Sequence, residues 1–136
     1  MKDGSDMNKR YPLEPYFTAA YNHDRSCLEK YAGLGVREIW AGSHAPSESC
    51  FGSGRLHKRD SDPVITLDDL GKDFQTARSL GLKTTYLLNP ACTGNAEFTE
   101  KGMEEIVSIS AFIEKYQVDY TTFSQPLLAR PLRTLC

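Results

Sequence analysis

The stretch 86–97 carries the residues whose types and spacing could do chemistry. A short apolar run rich in strand formers stops after Asn89, because the proline that follows cannot donate to a sheet ladder. Asn89, Cys92 and Asn95 then lie in a predicted turn, and a new helix is predicted to open at Thr99. Proteins that alternate strands with helices keep their active sites just beyond the carboxyl ends of the strands. This stretch therefore predicts a site in which amides orient a polar substrate.

Glu38 and Cys92 are the two candidate catalytic residues. Side chains alternate along the predicted strand 36–42, so Glu38 points either into the interior, where a carboxylate needs a partner, or to a rim where it pairs with an arginine. Cys92 could form a thiolate pair with His44 or His23 for peptide hydrolysis. The alternative for Cys92 is a neutral thiol that takes part in no disulfide.

Six further polar side chains are predicted to bind substrate, because each follows a strand or lies in the loop after the second strand. Amides and hydroxyls would orient a polar substrate, and a guanidinium would bind an anionic group. These residues are Asn22, Ser43, Arg55, Asn89, Asn95 and Gln125.

Residues 43–65 form the longest stretch without hydrophobic periodicity, and connections of this length usually have a function or are disordered. The segment is therefore a candidate binding loop, in which glycines flank a serine just before Arg55. His44, Cys50 and His57 show none of the tight spacings of zinc modules, so no metal site is predicted.

Composition narrows the class of protein. The 136 residues, 40% hydrophobic and 25% charged, suit one soluble domain. A net charge of −2 gives no electrostatic case for nucleic acid. No apolar run approaches the ~20 residues that span a bilayer, and the amino terminus is polar, so we expect a cytoplasmic protein. The four cysteines include no Cys-x-x-Cys pair and are expected to be reduced.

Four strand-to-helix units are predicted to position these residues. The predicted strands are 17–22, 36–42, 83–89 and 118–124, with helices from Asp24, Thr66 and Thr99 and a helical turn from Pro126. Parallel strands with right-handed crossovers make an α/β fold, and four units make half of an eight-stranded TIM-type barrel. A small open doubly wound sheet is the alternative, although its glycine-rich fingerprint is missing. Residues 1–10 are predicted to be a disordered tail, and 11–136 a single α/β domain.

Five sequence blocks spanning residues 16 to about 128 carry a family resemblance. They are Glu38-Ile-Trp-Ala-Gly42, Gly52-Ser-Gly-Arg55, Val64-Ile-Thr-Leu-Asp-Asp-Leu70, Tyr86-Leu-Leu-Asn-Pro-Ala-Cys-Thr-Gly-Asn95 and Val118-Asp-Tyr-Thr-Thr-Phe-Ser-Gln-Pro126. In this order the blocks resemble the amino-terminal barrel half of the collagenase-like peptidase family. The resemblance implies a barrel with a substrate pocket at its carboxyl rim. That family holds proteins named as peptidases and others tied to oxygen-independent hydroxylation of RNA bases or quinone precursors with an iron–sulfur cluster.

Two classes of function follow. The first is an enzyme that hydrolyses a peptide or hydroxylates an RNA base or similar small polar substrate. Since the cluster cysteines of such proteins lie in the later barrel half, no cofactor is expected here, and an iron–sulfur cluster would enter only with a second half. The second class is a non-catalytic binding or assembly module. Because a half barrel leaves two strand edges open, we expect a homo-oligomer or a partner chain that completes the barrel.

Overall fold

Strands and helices alternate along the chain in a computed structural model that describes residues 15–43, 51, 65–90 and 93–130. The elements are β1 (Phe17–Ala20), α1 (Ser26–Gly33), β2 (Val36–Ala41), α2 (Leu67–Ser79), β3 (Lys83–Leu88), α3 (Glu100–Tyr116) and β4 (Tyr120–Phe123), with short 3-10 turns at Ala96–Phe98 and Pro126–Leu128. The predicted α/β fold with four strand-to-helix units is confirmed. Completion to a barrel stays a prediction.

The four strands form one parallel sheet in the order β1-β2-β3-β4. One row of paired residues crosses it from Ala20 through Trp40 and Thr85 to Tyr120. Consecutive parallel strands joined by right-handed crossovers place every connecting helix on the same side of a sheet. The helices therefore cover one face, as they do in a barrel.

Side-chain caps stabilise the amino-terminal ends of α2 and α3. The Thr66 hydroxyl accepts a hydrogen bond from Asp69 N at 3.1 Å, and Asp69 in turn accepts from Thr66 N at 3.4 Å, which completes the predicted capping box of α2. Thr99 caps α3 by accepting from Gly102 N at 3.0 Å. At α1, Asp24 accepts from the backbone and hydroxyl of Ser26, but the helix begins at Ser26, two residues after the predicted start, and its N-cap residue Arg25 makes no side-chain capping bond.

The core lies between the sheet and the helices. Its largest members are buried aromatic and aliphatic side chains from both layers: Ile39, Tyr86 and Leu88 of the sheet and Leu28, Leu70, Phe74, Ile109 and Phe112 of the helices. Val107 of α3 is half exposed, although Ile106 and Ile109 on either side of it are buried. At 100° per residue, Val107 lies beside the stripe that Ile106 and Ile109 form rather than within it.

The opposite side of the sheet, which we call the bare face, carries the alternate residues of each strand. It consists of Tyr16, Thr18, Ala20, Glu38, Trp40, Lys83, Thr85, Leu87, Asn89, Tyr120 and Thr122. Leu87 is buried and yet does not belong to the core beneath the helices. Within the described residues, no helix packs on this face. Such a surface is unusual, since parallel sheets are normally covered on both faces.

Candidate functional site

The candidate site is a cavity of about 280 Å³ on the bare face, towards the carboxyl ends of the strands. Trp40, Thr85, Leu87, Asn89 and Thr122 line it. Three adjacent strands contribute these side chains, and the register brings Trp40 beside Thr85 and Leu87 beside Thr122. The cavity thus joins an indole, an aliphatic side chain, two hydroxyls and an amide.

Asn89 is the polar residue of this site whose side-chain oxygen lacks a hydrogen bond. Its Oδ1 is buried and has no hydrogen-bond partner within the described part of the chain. The end of β3 is held against β4, because Ser124 N donates to Leu88 O at 3.3 Å and Ser124 Oγ donates to Pro90 O at 2.8 Å. A buried acceptor without a donor costs about 1–3 kcal/mol. Asn89 is therefore positioned to accept a hydrogen bond from a bound group.

Glu38 points to the bare face and not into the core beneath the helices, and its partners are hydroxyls rather than the arginine of the rim alternative. It accepts from Thr85 Oγ1 at 2.6 Å and from Tyr16 OH at 3.0 Å. Partial desolvation and the Glu38 carboxylate raise the pKa of Tyr16, so this hydroxyl keeps the proton that it donates. Since Thr85 donates its proton to Glu38, its oxygen presents only acceptor capacity to the cavity.

Gln125 and Ser43 lie at the same end of the sheet, in different layers. Gln125 Oε1 accepts from Thr93 Oγ1 at 3.3 Å, close to the Pro90 and Ser124 contact. Ser43 is buried on the helix side, where its hydroxyl bonds that of Tyr86 at 2.9 Å. Burial raises the pKa of Tyr86 to about 12, so the pair is neutral at physiological pH. Ser43 does not line the cavity.

Asn22 and Asn95 are exposed, and neither lines the cavity. Asn22 Oδ1 accepts from Asp24 N at 3.3 Å, which shapes the turn into α1. Asn95 takes a left-handed backbone conformation, with φ of 64°, and opens the turn before α3. Both residues shape turns, Asn22 through its side chain and Asn95 through its left-handed backbone, which is a common use of asparagine.

Arg55 and Cys92 lie outside the described residues, so the predicted anion and thiolate contacts stay predictions. Within the described ranges, no three histidine, cysteine or acidic side chains are grouped to hold a metal ion. Nor does any helix in those ranges have the length and hydrophobicity needed to cross a membrane.

The sequence predicted Asn89 but missed the four residues that line the cavity with it. Trp40, Thr85, Leu87 and Thr122 lie within strands, whereas the prediction concentrated on residues after strand ends. The signal that could have found them is alternation, because Glu38 and Trp40 share a face and Thr85, Leu87 and Asn89 share a face. Only the register between strands shows that these faces are the same.

A larger groove of about 630 Å³ lies at the opposite, amino-terminal end of the strands. Phe17, Val36 and Leu82 contribute to its walls, and Arg37 is its charged residue. Among the residues that line it, Arg37 has the only polar side chain, so no side-chain amide or hydroxyl is available there to orient a ligand. We therefore assign the candidate chemistry to the smaller cavity beside Asn89.

Comparisons of the chain with protein-family models, with curated proteins and with solved structures find no match. The resemblance to the collagenase-like peptidase family stays a prediction that depends on the five sequence blocks. The geometry around Trp40 and Asn89 is consequently the main basis for proposing a function.

Proposed function

We propose that the chain binds a small planar polar group, of the kind found in a peptide amide or a nucleobase, against Trp40. The observation that carries this proposal is the buried Asn89 Oδ1, which lacks a donor in the described chain and lies in a cavity beside an indole. A ligand N–H would supply the missing hydrogen bond. The expected gain is about 1–3 kcal/mol, because an unmet buried acceptor is satisfied.

The chemistry of the walls favours this class of ligand. An indole offers a flat apolar surface on which planar groups stack, and such stacking contributes about 1–3 kcal/mol per base. Thr85 and Asn89 both offer acceptor oxygens, so the cavity selects groups that donate. A volume of about 280 Å³ is small for a ligand site and suits a single ring or one amide group.

Peptide amides and nucleobases are also the substrate classes that the family resemblance suggests. In the catalytic version of the proposal, the chain is part of a barrel enzyme that hydrolyses a peptide or hydroxylates an RNA base or similar substrate. Glu38 then holds Thr85 in place beneath the substrate, and Cys92 is the proposed nucleophile of a hydrolytic reaction. Arg55 would bind an anionic group of the substrate from the long loop.

Trp40 is the only tryptophan of the sequence, so its fluorescence reports directly on the cavity. We expect saturable changes in its emission when N-acetylglycinamide or uracil is added. Asn89→Ala should weaken binding about tenfold, the equivalent of one lost hydrogen bond. Asn22→Ala removes an exposed amide from the same end of the sheet and should leave binding unchanged. Titrations that do not saturate, or that are equal in protein with and without Asn89, would contradict the proposal.

The second candidate function is that of a non-catalytic assembly module. It is favoured by large aromatic side chains that remain exposed on the two outer strands or beside them: Tyr16 and Phe17 at 57% and Tyr120 at 52%. Apolar area of this kind commonly marks an interaction surface. A chain that associates but binds neither small probe would favour this candidate.

A further inference from the structure

The two outer strands lack the features that keep sheet edges from pairing. Natural edge strands carry charges, prolines or bulges that block association. Here β1 reads Phe-Thr-Ala-Ala and β4 reads Tyr-Thr-Thr-Phe, with neither a charge nor a proline. The charged strand residues Arg37, Glu38 and Lys83 lie instead on the inner strands β2 and β3. The register shift between Phe17 and Thr18 has its extra residue, Arg37, in the inner strand β2 and not in the edge strand β1.

The backbone of β4 offers donors along its free side. Ser124 N donates to Leu88 O of β3, and successive amides of a strand point to alternate sides. The N–H groups of Thr121 and Phe123 therefore point away from β3. Within the described chain no strand pairs with that side of β4.

The register of the sheet indicates what kind of strand would fit there. The row Ala20, Trp40, Thr85 and Tyr120 joins the last residue of β1 to the first residue of β4. From β1 to β4, each strand is thus displaced towards its carboxyl end relative to the strand before it. In a closed eight-stranded barrel of this type, a row of paired residues followed once around the barrel returns to its first strand about eight residues from where it started. Half a circuit therefore corresponds to a displacement of about four residues.

Four strands on from Ala20, the same row would reach β1 of a second copy, next to Tyr120. The residue of that β1 that faces Tyr120 lies four positions before Ala20, which is Tyr16. The same register sets Thr122 opposite a second Thr18 and brings the two four-residue strands into overlap. Tyr16 and Tyr120 both belong to the bare face, so the side chains on the two strands also agree in direction.

We propose that two copies of this chain close an eight-stranded parallel barrel, with β4 of each copy pairing with β1 of the other. A two-fold axis makes the two seams identical, so no edge remains open. The bare faces become the barrel interior, which covers the exposed Tyr16 and Tyr120. A net charge of −2 per copy opposes this association only weakly. The inference concerns assembly and does not depend on whether the cavity binds a ligand.

Solution mass is the first test. We expect light scattering during size exclusion to give twice 15.2 kDa for the protein at high concentration. Thr122→Lys places a charge in each seam and should weaken dimerisation more than about a hundredfold, because an unpaired buried charge is strongly unfavourable. Gln75→Lys adds the same charge on an exposed position of α2 and should leave the dimer intact.

Charge pairing across the seam tests the register. Thr122→Lys combined with Thr18→Glu should restore the dimer, whereas Thr122→Lys combined with Ala20→Glu, two residues out of register, should not. Far-ultraviolet circular dichroism confirms that each variant is folded, and Thr18→Glu alone tests the same seam if Thr122→Lys does not fold. A folded monomer at every concentration, open-ended larger species, or equal rescue by both double variants would overturn the proposal.

Discussion

Asp119, just before β4, shows how single side chains hold the amino-terminal end of the sheet. Its carboxylate accepts hydrogen bonds from Thr84 N at 3.0 Å and Thr84 Oγ1 at 3.1 Å, and it forms ion pairs with Arg78 and Lys83. Burial pushes the pKa of this carboxyl upwards, but the bonds from Lys83 and Thr84 outweigh that effect and hold the pKa below its ordinary value. Asp119 is thus ionised and joins β3, α2 and β4.

Asp119→Ala should lower the free energy of unfolding by about 2–4 kcal/mol, because it leaves the fully buried Thr84 without its acceptor and removes the ion-pair partner of Arg78 and Lys83. Urea unfolding measures this loss. The matched control is Glu104→Ala, which removes an exposed carboxylate of α3 and should change stability by no more than about 0.5 kcal/mol. Equal effects of the two substitutions would show that the Asp119 contacts contribute little.

Sequence reasoning at the residue scale identified polar groups but could not assign their partners. Asn89 and Gln125 lie at the predicted carboxyl end, and Glu38 lies on the bare face. That Thr85 and Tyr16 would satisfy Glu38 depends on the pairing of β2 with β3 and on the path of the chain into β1. Such long-range pairings leave no mark on a single sequence.

At the scale of elements, the contact between α2 and α3 depends on a glycine. Gly71 is buried in α2, and a Cβ added there would overlap the ring of Tyr116. That ring cannot easily move, because Tyr116 is buried and its hydroxyl donates to Asp68. The close approach of the two helices therefore requires a residue without a side chain.

Gly71→Ala should destabilise the protein by about 1–2 kcal/mol, since overpacking outweighs the gain in helix propensity. Gly33→Ala provides the matched control. A Cβ at Gly33 would meet no atom within 4 Å, so this substitution should stabilise the protein by about 0.5 kcal/mol. Thermal unfolding of both variants checks the signs, and a neutral or stabilising Gly71→Ala would be inconsistent with the described packing.

Elements were predictable where local chemistry decides them. The caps at Thr66 and Thr99 and the terminating proline after Asn89 all lie where the sequence predicted. Strand ends were less predictable: β1 ends at Ala20 rather than residue 22, because Tyr21 N makes the last bond to β2 and Asn22 forms the turn into α1. The predicted binding loop 43–65 falls largely outside the described residues.

For the whole molecule, the free energy of unfolding at low pH should depend on the carboxyl groups that link distant elements. Asp68 accepts from Tyr116, Lys72 and Lys115, and these bonds hold its pKa well below its ordinary value. For Asp68 and Asp119 alike, the folded pKa lies below the unfolded one, so the unfolded chain binds more protons as the pH falls through about 4. Their stabilisation is full above about pH 5 and is lost on acidification.

Asp119 should dominate this dependence, because its side chain is 10% exposed while that of Asp68 is 51% exposed and screened by solvent. Asp119→Asn should therefore flatten the fall in unfolding free energy between about pH 5 and about pH 3. Urea unfolding across that range measures the slope. A variant with the same slope as the original protein would assign the acid sensitivity to other groups.

The parallel α/β architecture was predictable as a whole because four strand-like runs alternate with capped helices. Strand order and the common side of the helices follow from the right-handed crossover rule. Which residues share the bare face was not predictable, since that depends on the register between strands. Our central claim is that the bare face forms the proposed ligand cavity and is also the face that the proposed pairing of two copies encloses.

The most direct measurement of this claim is a two-dimensional proton–nitrogen spectrum titrated with N-acetylglycinamide and with uracil. The account predicts that the indole signal of Trp40 and the side-chain amide signals of Asn89 shift together and saturate at the same ligand concentration. Signals from the opposite groove, such as those of Val36 and Leu82, should stay in place. Shifts confined to that groove, or no saturable shift at Trp40 and Asn89, would contradict the account.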